Sequence, residues 1–175
     1  MDIEDIITAA VIFAVGVLVL ALAFIVGRWL LRKIFIRAPK RDTEAYLRFI
    51  SPREFEAYMT RLFALMGYDA RLTPATSDGG KDIVLRDEGE VIYVECKQWE
   101  EGAFVGRPEL QKLAGAAALD SVGEIIFVAT CRYSETAERA AAQSRTMKVT
   151  LWTMDDILRA IRMVKEETGV KYIEE

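Results

Sequence analysis

The segment Val91-Ile92-Tyr93-Val94-Glu95-Cys96-Lys97 reads as a β-strand that carries an acid and a base on an otherwise apolar background. Side chains on a strand alternate faces with period two. Ile92, Val94 and Cys96 therefore share one face, and Tyr93, Glu95 and Lys97 share the other. The preceding segment, Asp82 to Arg86, reads as a second strand, joined to the first by the polar turn Asp87-Glu88-Gly89-Glu90. If those residues form the loop of a hairpin, Arg86 pairs with Val91. Counting back along both strands places Asp82 opposite Glu95, on the same face. A slip of one residue would send Asp82 to the other side of the sheet.

Two adjacent carboxylates repel, and burying them together is costly unless a cation fills the gap. Oxygen-only ligands suit a hard ion that keeps part of its water shell, which points to Mg²⁺ or Mn²⁺. Such an ion polarises a phosphoryl oxygen and acidifies a water. An ammonium at Lys97 can orient or deprotonate that water, or stabilise negative charge in the transition state. Together these groups are equipment for hydrolysing a phosphodiester, and the chain has no histidine with which to do it otherwise. The lack of histidine also excludes a Ser-His-Asp triad and a histidine-ligated zinc site. Taken alone, Asp82, Glu95 and Lys97 are more often a solvated salt bridge on a strand face.

The elements around this hairpin follow from periodicity and punctuation. Ser51-Pro52-Arg53-Glu54 combines an N-cap, a proline at the first helical position and a capping-box glutamate. Phe55, Met59, Leu62, Phe63 and Met66 continue at helical spacing to Gly67. Tyr68 to Leu72 is a short strand, and Ser77-Asp78-Gly79-Gly80 has turn chemistry. Pro108 opens a helix to about Leu119, Glu124 to Thr130 is a continuous apolar strand, and Ser134 caps a helix to about Ser144. Val149 to Trp152 is a last strand and Met154 to Val164 a last helix. This order predicts an α/β domain with a mixed central sheet flanked by helices. Cys96 and Cys131 both lie in apolar strands, and two cysteines make no disulfide framework in a chain of this size. They read as small core residues.

The N-terminal part is of another kind. Ile6 to Gly27 is a run of 22 residues without a charge, long enough for a hydrocarbon core of roughly 30 Å. Asp2, Glu4 and Asp5 precede it; Arg28, Arg32, Lys33, Arg37, Lys40 and Arg41 follow it. The positive-inside rule then predicts a single-pass cell-membrane anchor with the large domain in the cytoplasm. A cleaved signal peptide needs a basic start and a shorter apolar run. The expected organisation is a transmembrane anchor over 1–37, a juxtamembrane linker over 38–50, the catalytic domain over 51–165 and a C-terminal tail over 166–175. The net charge is +3 on residues 1–41, so the whole-chain value of −4 leaves −7 on residues 42–175. An acidic domain is an awkward partner for nucleic acid, whose phosphates dominate affinity.

The segment Ser51–Ile161, about 110 of the 175 residues, resembles the Mrr-type catalytic domain of the PD-(D/E)xK, or restriction-endonuclease-like, nuclease superfamily. The pieces that carry the resemblance come in family order: "SPREFE", "GYDARLT", "SDGGKDIVL", "VIYVECKQW", "RPELQKLAGA", "IIFVATCRYSETA" and a closing strand with "LW". The resemblance implies an αβββαβ core and magnesium-dependent endonucleolytic cleavage of DNA, in defence against foreign DNA. Asp82 matches the acidic metal ligand after the glycine pair, and Glu95 and Lys97 match the E-x-K pair. The backbone carbonyl of Cys96 would be a further ligand. Glu56 matches a first-helix glutamate that points into such sites, and Gln111 a helix glutamine beside them. Either can equally be a solvated helix residue. Lys81 departs from the family name, which expects proline there. Arg53, Lys81, Lys97, Arg107 and Lys112 form a candidate basic rim for phosphate. Double-strand cutting implies a homodimer. A catalytically silent module of the same fold, tethering nucleic acid or a protein partner at the membrane, is the alternative function.

Overall fold

The structure, a computed structural model, describes residues 16–17, 21–22, 39–74 and 80–174. The chain divides into two units, Met1–Ala38 and Pro39–Glu175. The anchor expected over 1–37 falls almost wholly outside the described residues. Among the described residues, no helix is long and apolar enough to cross a membrane.

The second unit begins with α1 (Glu44–Phe49) and α2 (Pro52–Leu65), followed by β1 (Asp69–Leu72), β2 (Ile83–Asp87) and β3 (Glu90–Lys97). A two-residue strand β4 (Phe104–Val105), α3 (Arg107–Leu119), β5 (Glu124–Ala129), a second short strand β6 (Arg132–Tyr133), α4 (Glu135–Ala142), β7 (Lys148–Trp152) and α5 (Met154–Thr168) complete it. The main sheet has strand order β1-β2-β3-β5-β7. β1, β2 and β3 are antiparallel neighbours, whereas β3, β5 and β7 run parallel. The two parallel connections each contain a helix, α3 and then α4, as crossovers between parallel strands must. This is the mixed, helix-flanked sheet that the order of elements predicts. The short pair β4–β6 and the helix α1 were not foreseen. They are too brief to leave a periodic pattern.

The hairpin that matters most is tighter than expected. Asp87 pairs with Glu90, so only Glu88 and Gly89 form the loop, with φ of 46° and 94°. Two successive positive φ values define a type I′ turn, whose twist matches the flanking strands. Adding one pair beyond Arg86↔Val91 leaves the register unchanged.

Period-two alternation divides the core into two layers. Ile83, Leu85, Ile92, Val94 and Cys96 pack under α2 and α5, against residues such as Phe55, Met59 and Ile157. Tyr93, Ile125 and Phe127 face the opposite way, under α3, against Leu110, Leu113 and Ala117. α2 starts where the capping box puts it: Ser51 Oγ accepts from Glu54 N at 3.3 Å and Glu54 Oε2 accepts from Ser51 N at 2.7 Å. α5 ends at Gly169, which adopts the left-handed φ of 72° that favours glycine. Residues 38–50, expected as a linker, include α1, and its Leu47 is fully buried. The tail beyond 165 contributes Ile173, also fully buried, and Tyr46 donates to Glu174 Oε2 at 2.6 Å.

Candidate active site

Asp82 is a bend residue immediately before β2, and its backbone N–H donates to Val94 O at 2.8 Å, the carbonyl of the residue that Ile83 already faces, so the regular register ends at Ile83↔Val94. The expected pairing of Asp82 with Glu95 is therefore not a ladder pair: the chain bulges at Asp82. Glu95 has the parity of Tyr93, which packs in the α3 layer. Asp82 lies close enough for its charge to act on both Glu95 and Lys97. Asp82 Oδ2 accepts from the backbone N–H of Cys96 at 2.7 Å, which fixes one of its oxygens and leaves Oδ1 for a ligand. Lys97, the last residue of β3, forms an ion pair with Glu95 Oε1. The structure thus brings Asp82, Glu95 and Lys97 together.

Glu95 is only 7% exposed, one of two buried polar residues among those described. Burial holds its carboxyl above the usual carboxylate range; the bond from Lys97 pulls the other way, and the nearby charge of Asp82 adds to the rise. For Lys97, burial favours the neutral amine, but the hydrogen bond and the charges of Glu95 and Asp82 outweigh it, and the ammonium is held above its ordinary range. A buried carboxylate beside a second one, with one lysine as counter-charge, is a site that gains from a further cation. The donors it offers are hard oxygens, which fit Mg²⁺ or Mn²⁺. Among the described residues, no group of three or more His, Cys, Asp or Glu side chains is arranged to hold a metal. Asp82 and Glu95, with the Cys96 carbonyl, are the groups that would hold such an ion.

The remaining candidates make no hydrogen bond or ion pair with this trio among the described residues. Glu56 lies on α2, over the opposite face of the sheet from Glu95. Its carboxylate is paired with Arg53 at 2.6 Å, and its charge is felt by the Cys96 thiol. Gln111 is exposed on α3 and lines a shallow recess of about 590 Å³ with Gly80, Lys81 and Lys112. Lys112 is near enough for its charge to act on Glu95. Both cysteines are free and buried, as core residues should be. Burial pushes the Cys96 thiol well up. Trp99 packs on the α3-side core.

The candidate basic rim is partly committed to internal bonds. Arg53 pairs with Glu56 and also donates to Thr73 O at 2.7 Å. Lys81, in the position of the family proline, bonds Asp120 at 2.8 Å and lies 4.0 Å from the centre of the Tyr93 ring, while Tyr93 donates to the same Asp120 oxygen at 2.6 Å. This tie holds the backbone just before Asp82 to the end of α3. No local motif announces it, because Asp120 is 39 residues from Lys81. Arg107 and Lys112 remain exposed on α3.

A mixed α/β sheet that gathers an Asp just before one strand and a Glu-x-Lys at the end of its antiparallel neighbour defines the restriction-endonuclease-like class. The model of the Mrr catalytic family, described as "Restriction endonuclease", matches residues 47–161, and the chain belongs to that family. It is similar to the type IV methyl-directed restriction enzyme EcoKMrr of Escherichia coli, 34% identical over 129 residues, which cover 69% of this chain and 40% of that enzyme. Among solved structures, the DNA modification-dependent restriction endonuclease AspBHI matches with TM-score 0.54 at 19% identity, over 78% of this chain and 38% of that one. The MspJI restriction endonuclease in complex with a 27-mer oligonucleotide matches with TM-score 0.53 at 15% identity, over 70% and 30%. The two structural matches speak for the fold. The chain spans well under two thirds of each of these proteins.

Proposed function

We propose that this chain is a metal-dependent endonuclease that hydrolyses DNA phosphodiester bonds, acting as a membrane-anchored restriction-type enzyme against foreign DNA. The observation that carries the reading is the convergence of Asp82, Glu95 and Lys97 around a buried carboxylate held above its usual pKa. Asp82 and Glu95, with the Cys96 carbonyl, would hold Mg²⁺ or Mn²⁺. When bound, that ion supplies the charge that polarises a phosphoryl oxygen and acidifies an attacking water. Lys97 sits beside Glu95, where its ammonium can orient that water and stabilise charge developing on phosphorus oxygens. DNA as substrate is supported by the family and by what the related restriction enzymes are named for. Glu56 and Gln111 are carried as supporting residues on the family resemblance.

The test is cleavage of supercoiled plasmid by the purified chain with Mg²⁺, with Mn²⁺ and with EDTA. Nicked or linear product only with metal is the expected result, and intact plasmid in every lane removes the nuclease reading. One observation favours the tethering alternative: residues 42–175 carry a net charge of −7. Metal-independent DNA binding without cleavage would select it. Lys112, whose charge acts on Glu95, tests whether DNA lies at this site. Lys112→Ala is expected to lower the slope of log affinity against log salt by roughly 0.9, the value for one lost phosphate contact. An unchanged slope places the DNA elsewhere.

The membrane anchor and cytoplasmic domain remain part of this reading on sequence grounds, from the uncharged run Ile6–Gly27 and the basic residues after it. Carbonate-resistant membrane association, lost on replacing Leu18 and Leu20 with lysine, checks it. Homodimerisation, which would pair two sites for two strands, is checked by light scattering.

A further inference from the structure

Lys97 ends β3, and its backbone is supported unequally on its two sides. Toward β5 the register continues through Lys97↔Ala129, and Thr130 N donates to Lys97 O at 3.0 Å. Toward β2, the last bond is the one from Cys96 N to the Asp82 side chain. Beyond it, the support on that side comes from outside the sheet. Gln98, the next residue, donates from its single side-chain nitrogen to two carbonyls at the end of α1, Leu47 O at 2.7 Å and Ile50 O at 2.6 Å. Helix-terminal carbonyls lack intrahelical partners, so the amide meets two acceptors that need donors. α1 is itself fixed, because Leu47 is fully buried in the core under α2. A second strap runs beside the first: Arg48 Nη1 donates to Trp99 O at 3.4 Å, and Thr130 Oγ1 donates to the same oxygen at 2.7 Å.

We propose that Gln98 is a positioning residue for Lys97, fastening the free end of β3 to α1 so that the ammonium is held over Glu95. The proposal rests on the reading of Asp82, Glu95 and Lys97 as a hydrolytic site. Its chemistry is specific to a primary amide, which offers two N–H donors from one nitrogen. Glutamate in that place would turn carboxylate oxygens toward two carbonyl oxygens, and leucine would fill the space with no donor. α1 is thereby part of the active-site scaffold.

The experiment compares the full-length wild type with Gln98→Leu and Gln98→Glu, each checked by thermal melting. Two quantities are read: kcat and KM for cleavage of a DNA duplex with Mg²⁺, and competitive amine labelling of Lys97 relative to Lys148, measured by mass spectrometry without DNA. Lys148 is an internal reference because it pairs with Glu124 at 2.9 Å, away from Gln98. The expected result is a kcat lower by on the order of ten- to a hundredfold, the scale of a displacement near 1 Å, with KM little changed and the Lys97 labelling ratio raised severalfold. A residue that merely caps α1 would lower the melting temperature and leave kcat and labelling as they were, and that outcome overturns the proposal. If the wild type does not cut, the hydrolytic reading fails by itself; the labelling ratio then decides whether Gln98 restrains Lys97. If both variants fail to fold, Arg48→Ala loosens the parallel strap without touching β3, and the same labelling criterion applies.

Discussion

Lys97→Ala is expected to lower the rate of metal-dependent cleavage by on the order of 10²–10³-fold, the cost of removing one preorganised group that stabilises transition-state charge. The side chain is 26% exposed, and its ammonium pairs with the buried Glu95. Alanine therefore removes a positive charge from the place where the scissile phosphate would bind, and it leaves Glu95 without its counter-charge. Lys97 is one of the groups that lower the Glu95 pKa, against burial and against Asp82. Without it the carboxyl rises further. Since a metal ligand must be deprotonated, the residual activity should appear at higher pH than in the wild type. The checks are a pH–rate profile with Mg²⁺ and a melting curve on the same preparations. Wild-type cleavage by the variant would refute the assignment of Lys97, whatever happened to Glu56 or Gln111.

Why this trio could be read from the chain at all is a matter of local geometry. The turn Asp87–Glu90 sets the register, and register sets which side chains share a face. The loop proved two residues shorter than the four-residue turn suggested, but shortening a hairpin by one complete pair preserves the register as far as Ile83↔Val94; at Asp82 the backbone leaves it, bonding Val94 O in place of pairing with Glu95. Ser51, Pro52 and Glu54 likewise announce the start of α2 through bonds made within three residues. What the sequence hid is non-local. The Lys81–Asp120–Tyr93 tie joins residues whose proximity depends on α3 crossing the sheet. The Gln98 bonds to α1 span about fifty residues. α1 itself has six residues, too few for a helical pattern to stand out, and its stability comes from burying Leu47 and Ile50. Glu56 shows both scales at once: three residues after an arginine on a helix, it pairs with that arginine, and only the fold brings its charge to bear on Cys96, between Glu95 and Lys97.

The acidic balance of the domain also becomes intelligible once partners are assigned. Several carboxylates are matched within the fold: Asp120 with Lys81, Glu56 with Arg53, Glu124 with Lys148 and Asp42 with Lys165. These pairs also consume basic residues that composition alone would offer to DNA. Each pair is neutral, so the −7 rests on other carboxylates of the domain, while Arg107 and Lys112 stay exposed on α3.

Glu95→Gln is expected to abolish metal binding and cleavage while making the metal-free protein at least as stable as the wild type at neutral pH. Burial raises the Glu95 pKa in the folded state, so the native protein holds that proton more tightly than the unfolded chain, whose glutamates titrate near ~4.3. The contribution of Glu95 to stability is therefore full below the unfolded pKa and is lost as pH rises through the folded one. Above that range, the metal-free native state carries a buried carboxylate beside Asp82. Glutamine keeps the shape and still offers an oxygen to Lys97, without the charge. Lys97 is 26% exposed, so water and the charge of Asp82 take up part of what the lost ion pair supplied. The melting-temperature advantage of the variant should thus open as pH rises above about 4 and level off once wild-type Glu95 is ionised. Mg²⁺ then acts in the opposite direction. It should stabilise the wild type by about 2.7 kcal/mol at a hundred times its dissociation constant, and leave Glu95→Gln unmoved. Equal magnesium shifts in the two proteins would mean that the ion binds somewhere other than Glu95. A variant less stable than the metal-free wild type at pH 7 would mean that the Lys97 pair more than offsets the burial of its partner.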